Sequence, residues 1–302
     1  MRRIFLTLAV LGLIGLAAFY VLTIPRTIDP EEIAGLTGDV TRGEAVFYQG
    51  GCASCHSAPN AEGDEKLKLT GGRKFPSPFG TFFAPNISPD PVNGIGSWTT
   101  ANLVNAMKFG TSPTGQHYFP AFPYTSYARV PVADMVDLKA FMDTLPAVDN
   151  PNQPHDVPFP FNIRRSLGGW KLLFLSGKPV VDAGDMTDEQ LRGQRLAEGL
   201  GHCSECHTPR NILGGVIKSR WMGGAPNPEG KGKVPNLTPH KDGLAWSQSD
   251  IAEYLKSGFT PEFDTAGSLM ADVIDNSAHW SDADRLAVGA YLKVLPEVAK
   301  KK

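Results

Sequence analysis

The sequence predicts an all-α protein: two tandem copies of one small helical domain behind an N-terminal transmembrane helix. Three observations predict it. A Cys-x-x-Cys-His run occurs twice, the residues around it recur at a nearly constant offset, and residues 4–24 carry no charged side chain.

The apolar run comes first. It is 21 residues long, follows Arg2-Arg3 and ends at Pro25-Arg26. That length can span a bilayer, whereas the apolar region of a cleaved signal is usually about 7 to 15 residues and ends in a small-residue site that Ala17-Ala18 fits poorly. The expectation is an uncleaved anchor over 1–26, with Arg2 and Arg3 in the cytoplasm. In a bacterium this puts the rest of the chain in the periplasm at the inner membrane.

A repeat organises the rest of the chain. Cys52 pairs with Cys203 at an offset of 151, Pro85-Asn86-Ile87 with Pro235-Asn236-Leu237 at 150, Trp98 with Trp246 and Gly110 with Gly258 at 148, and Leu145-Pro146 with Leu295-Pro296 at 150. An offset drifting by three residues marks a duplication, giving domains over 27–150 and 185–302. Residues 151–184 connect them. The prolines at 151, 154, 158 and 160 and the apolar stretch Trp170-Lys171-Leu172-Leu173-Phe174-Leu175 suit a segment packed across both domains better than a flexible tether.

Each copy is predicted to hold three helices. The first opens on Thr41-Arg42-Gly43-Glu44 or Thr187-Asp188-Glu189-Gln190, both fitting a capping box. The second covers 98–109 or 246–257, with Ser247 and Asp250 as a further capping pair and Gly110 and Gly258 as terminators. The third follows the apolar spacing of Val132, Met135, Val136, Leu138 and Phe141, or of Leu286, Val288, Ala290, Tyr291 and Leu292. Pro146 and Pro296 mark their ends.

The motifs Cys52-Ala53-Ser54-Cys55-His56 and Cys203-Ser204-Glu205-Cys206-His207 use every cysteine. Two thiols at this spacing add across the two vinyl groups of one porphyrin, and the adjacent histidine then lies under the iron, so two covalent c-type haems are expected. A zinc site would join pairs about 150 residues apart and leave both histidines idle. A redox dithiol explains neither histidine. Cys52, Cys55, Cys203 and Cys206 are therefore the attachment residues and His56 and His207 the proximal ligands.

The sixth ligands differ between copies. Met270 lies twelve residues after Gly258, in the loop between the second and third helices, where a thioether can reach the iron and raise its potential. Phe122 holds the corresponding place in copy one and cannot bind iron. His117 is the favoured alternative there; Met107, aligned with Leu255, and an open five-coordinate iron are the others. His155, His202, His240 and His279 receive no chemistry, while Trp98, Trp246, Asn86 and Asn236 receive packing and positioning roles.

Composition narrows the function classes. A net charge of −2 with no basic stripe gives nucleic-acid binding no support, and Lys300-Lys301-Lys302 reads as a solvated tail. No nucleotide-binding glycine loop, nucleophile elbow or further metal cluster is visible.

The runs Gly201-His202-Cys203-Ser204-Glu205-Cys206-His207-Thr208-Pro209-Arg210-Asn211, Phe159-Pro160-Phe161-Asn162-Ile163-Arg164 and Tyr118-Phe119-Pro120-Ala121-Phe122-Pro123-Tyr124 resemble the cytochrome c subunits of membrane-bound alcohol, aldehyde and gluconate dehydrogenases. The resemblance implies a class I cytochrome c fold in each domain. It also implies electron transfer between a periplasmic dehydrogenase and quinone, a soluble cytochrome or an oxidase. Those subunits commonly hold three haems, and several have Met where this chain has Phe122. A dihaem enzyme such as a peroxidase, with an open first iron, is the alternative reading.

Overall fold

Helix α1, Arg2–Leu22, is the expected apolar helix, with a mean hydropathy of 2.5 and no buried residue. At about 1.5 Å per residue it has the length of a bilayer's hydrocarbon core. The computed structural model describes residues 1–228, 230 and 232–299; the expected tail Lys300-Lys301-Lys302 lies outside the described residues. The chain leaves α1 at Thr23, a buried residue whose hydroxyl donates to Phe19 O at 2.7 Å.

The first half runs through α2 (Val40–Gly50), α3 (Cys52–His56), the strands β1 (Lys74–Ser77) and β2 (Gly80–Phe83), then α4 (Thr100–Phe109), α5 (Tyr124–Tyr127) and α6 (Val132–Met142). A connector helix α7 (Ser166–Phe174) comes next. The second half repeats the order: α8 (Asp188–Arg195) with a π-helical turn Leu196–Leu200, α9 (Ser204–His207), β3 (Gly223–Pro226), β4 (Lys233–Asn236), α10 (Gln248–Ser257), α11 (Leu269–Ser277) and α12 (Asp282–Leu292). The protein is mostly helical rather than all-α. Each half adds one antiparallel hairpin, with Lys74 opposite Phe83 in one and Gly223 opposite Asn236 in the other.

Local chemistry sets most helix ends. Thr187 with Gln190 and Ser247 with Asp250 form the expected capping boxes, and Thr99 with Asn102 forms a third that starts α4 two residues after Trp98. Such caps contribute about 1 kcal/mol each. The Thr41 box does not form, because Asp39 is the N-cap of α2 and accepts from Arg42 N at 2.9 Å. Gly110 and Gly258 close α4 and α10 in the left-handed region, at φ 59° and 77°.

In each half the first and last helices cross at a glycine. A Cβ on Gly43 would lie 2.0 Å from Asp137 O, and one on Gly193 1.8 Å from Ala287 O, so only glycine lets α2 reach α6 and α8 reach α12. Arg42 Nε donates to Asp137 Oδ2 at 2.7 Å beside the first crossing, and Arg192 Nε to Asp284 Oδ1 at 2.7 Å beside the second. Two separate cores result. Phe47, Leu69, Val104, Met135 and Leu138 centre one, and Ala197, Met222, Val288 and Tyr291 the other.

The connector touches both halves. Asp156 and Thr81 exchange backbone hydrogen bonds at 2.8 and 2.9 Å, Lys171 on α7 donates to Phe109 O and Gly110 O at 2.7 Å, and Trp170 Nε1 donates to Leu213 O at 2.8 Å.

Candidate haem sites

Each Cys-x-x-Cys-His run is presented on a short helix after a reversal. Gly51, at φ 58°, turns the chain from α2 into α3, and His202 takes the same place before α9 at φ 35°. A histidine there spends on the order of 1 kcal/mol that glycine does not. None of the four cysteines forms a disulfide, and all are half-buried. Burial pushes the Cys52 and Cys203 thiols up to about 12 and that of Cys55 to about 11.

The two motif histidines are held identically. His56 Nδ1 lies 2.8 Å from Pro85 O, and His207 Nδ1 2.9 Å from Pro235 O. A carbonyl only accepts, so Nδ1 carries the proton and Nε2 the lone pair. Burial lowers both pKa values and favours the same neutral imidazole. The next residue locks the loop that supplies the carbonyl: Asn86 Nδ2 donates to Val148 O at 2.7 Å, and Asn236 Nδ2 to Val298 O at 2.8 Å. Two thiols beside an imidazole whose Nε2 lone pair is fixed form a donor set that fits a covalent haem, and the chain builds it twice.

The distal candidates part company. Met270 stands in the first turn of α11 rather than in a loop, half-buried against the second core. Phe122 packs against the first core just before α5, and Met107 is buried in that core where Leu255 serves the other half. His117 is buried with both ring nitrogens engaged. Its Nε2 lies 2.9 Å from Thr23 O, and its Nδ1 2.9 Å from Lys171 Nζ. Nε2 is therefore the donor to the carbonyl and Nδ1 the acceptor from the ammonium, leaving no lone pair for a metal.

The sites face each other across a reciprocal seam. Ser126, at the end of α5, donates to Glu205 Oε1 at 2.8 Å inside the second motif; Asn276, 150 positions later in α11, donates to Ser54 Oγ at 2.8 Å inside the first. Each half thus covers the other's attachment helix. Arg73–Asp272 at 2.7 Å, Lys66–Asp275 at 2.6 Å, the Tyr48–His279 stack at 4.0 Å and Trp280 Nε1 on Tyr48 O at 3.0 Å extend the contact. Cys55 lies near enough to Cys206 for the two thiols to interact electrostatically. Burial pushes the Glu205 carboxyl up, but Arg210 and the Ser126 hydroxyl outweigh it, so the group sits below the usual range and is ionised.

Sequence reasoning missed Lys171, Thr23 and Glu205. Glu205 and Ser54 occupy the variable positions of their motifs, which was the available signal; nothing local marks the other two.

The family model for cytochrome c matches residues 40–146. The whole chain is similar to a "Diheme cytochrome c-type" protein of Cereibacter sphaeroides, 56% identical over 99% of this chain and 100% of that one. The "Fructose dehydrogenase cytochrome subunit" of Gluconobacter japonicus is 35% identical over 90% of this chain and 56% of its own length. For the "Alcohol dehydrogenase (quinone), cytochrome c subunit" of Gluconobacter oxydans the values are 36%, 87% and 56%. The chain therefore spans little more than half of either dehydrogenase subunit.

Proposed function

Because this chain belongs to the cytochrome c family, we propose that it accepts electrons from a periplasmic dehydrogenase and passes them to a respiratory acceptor, quinone, soluble cytochrome or oxidase, at the bacterial inner membrane. It carries two covalently bound haem c groups, and its general role is electron transfer. A bound haem supplies a one-electron iron couple; the polypeptide does the rest. Cys52 and Cys55 hold one group and Cys203 and Cys206 the other. His56 and His207 would hold the irons through Nε2, because the Pro85 and Pro235 carbonyls engage Nδ1. Met270 would be the thioether that holds the second haem together with His207, and Met/His ligation would raise that potential.

The observation that carries the reading is the reciprocal seam, in which each half reaches the other's attachment helix. Transfer falls steeply with distance, so attachment helices held in one seam favour electrons passing within the chain. The dehydrogenase partner rests on what the fructose and alcohol dehydrogenase subunits are named for.

A specific observation keeps the second reading in play. With His117 committed to Thr23 and Lys171, Met107 buried in the core and Phe122 in the methionine's place, none of the sixth-ligand candidates among the described residues of the first half is free to hold an iron. A first haem lacking a second protein ligand would supply an iron able to take small ligands such as cyanide or peroxide. Rapid electron exchange without peroxide turnover by the purified haem-loaded protein supports the carrier; sustained peroxide reduction from a reduced donor supports the enzyme.

A further inference from the structure

Resting on the reading of α1 as a membrane anchor, we propose that the outer face of α7 and the loops beside it form a second membrane contact, a monotopic surface that lies on the lipid bilayer. The face is exposed and apolar: Leu172 is 60% and Leu173 69% accessible, while Gly168 and Lys171 of the same helix are buried. Phe159 in the turn before α7 is 78% exposed, and Ile212 at 92% lies in the loop that Trp170 Nε1 ties to α7 through Leu213 O.

The occupant follows from continuity with α1. A Cβ on Gly169 would lie 3.3 Å from the Phe19 ring, and one on Gly168 2.5 Å from Thr23 Cβ, so the last turn of α1 rests against α7. Gly169, Leu172 and Leu173 share one helical face by their spacing, and Leu173 is about 6 Å along the axis from Gly169. Whatever surrounds Phe19 also reaches Leu172 and Leu173. Around a helix as apolar as α1 that medium is lipid.

The neighbouring chemistry suits the interface. The Arg165 guanidinium covers the Tyr20 ring at 4.3 Å, where it can meet headgroup phosphates. Trp170 sits with its indole N–H on Leu213 O, tying α7 to the loop that carries Ile212. Because this surface draws on both halves, it holds the pair of haem sites at a fixed orientation to the membrane instead of letting them swing on a tether. An apolar rim of this kind beside an anchor is the pattern of interfacial helices.

The test uses full-length, haem-loaded protein, in which the four native cysteines are consumed as thioethers. Single cysteines replace Leu173, Ile212, Leu13 in α1 and the 83% exposed Val92, each carrying an environment-sensitive fluorophore. The protein is placed in phosphatidylethanolamine and phosphatidylglycerol vesicles with or without nitroxide-labelled lipid. The expectation is at least about twofold quenching at Leu173 and Ile212 as well as Leu13, with none at Val92. Quenching at Leu13 alone overturns the surface and leaves the anchor standing. A blue shift at Leu173 without lipid quenching also overturns it, since a protein or a second copy then covers the face. Water at Leu13 removes the anchor and the inference together.

Discussion

The two halves keep their proximal sides alike and let their distal sides diverge. Both hold the motif histidine on a proline carbonyl and clamp that proline's loop through the following asparagine. Past the second helix the same short bridge appears twice, Thr111 with His117 and Phe259 with Thr265. In the first half Lys171 of α7 and the end of α1 at Thr23 cover it through His117; in the second it stays open, with Phe259 and Phe263 exposed. The duplicated scaffold thus repeats the support of the motif histidine closely and lets the segment past the second helix vary.

The largest expected effects fall on the shared side. Replacing Cys52 and Cys55 by serine, or Cys203 and Cys206, should each lower bound haem from two per chain to one, measured by haem content after denaturation. Unequal losses would break the equivalence of the halves. Gly43→Ala and Gly193→Ala should each destabilise by about 3 kcal/mol, since a Cβ overlaps a backbone carbonyl in both crossings. Denaturant unfolding reads this, and tolerance at one position alone would show that the crossings differ.

Substitutions on the diverged side should act on one haem each. Met270→Ala should make the second haem high-spin and lower its potential by on the order of 0.1 V, inside the ~0.8 V range that axial ligation spans. Phe122→Met should do the reverse at the first, adding a thioether signature in near-infrared magnetic circular dichroism. A pH-dependent effect concerns Lys171, whose ammonium burial brings down to about 7 from 10.5. Below pH 7 both folded and unfolded chains hold this proton, and the full cost of burying the charge is present. Between pH 7 and 10.5 the unfolded chain binds more protons, so this group makes stability rise with pH. In Lys171→Met that slope should be shallower by up to ~1.4 kcal/mol per pH unit, read from unfolding in detergent micelles.

What was legible in the sequence was local or periodic. The attachment motifs, the Gly110 and Gly258 terminators and two of the three capping boxes depend on residues within a few positions of one another. The hairpins were missed because four-residue strands such as Gly223–Pro226, built largely of glycine and proline, carry no alternating pattern. Helix α5 sits where prolines break any 3.6-residue period, whereas α11 carries one in Leu269, Met270, Val273 and Ile274 that is passed over when the segment is read as the loop holding Met270. His117 reads as a ligand from sequence because its partners, Lys171 and Thr23, lie 54 and 94 positions away. The pairing of Ser126 with Glu205 and of Asn276 with Ser54 spans 79 and 222 positions, beyond any reading of motif spacing.

The central claim is that one chain carries two haems with the same proximal side and unlike distal sides. Electron paramagnetic resonance of the oxidised, haem-loaded, full-length protein tests it directly, with cyanide added to one sample and His117→Ala run beside it. The account predicts one low-spin centre that ignores cyanide and one high-spin centre that binds it, both unchanged in His117→Ala. Two low-spin centres, one of them turning high-spin in His117→Ala, would contradict it and make His117 the ligand of the first iron.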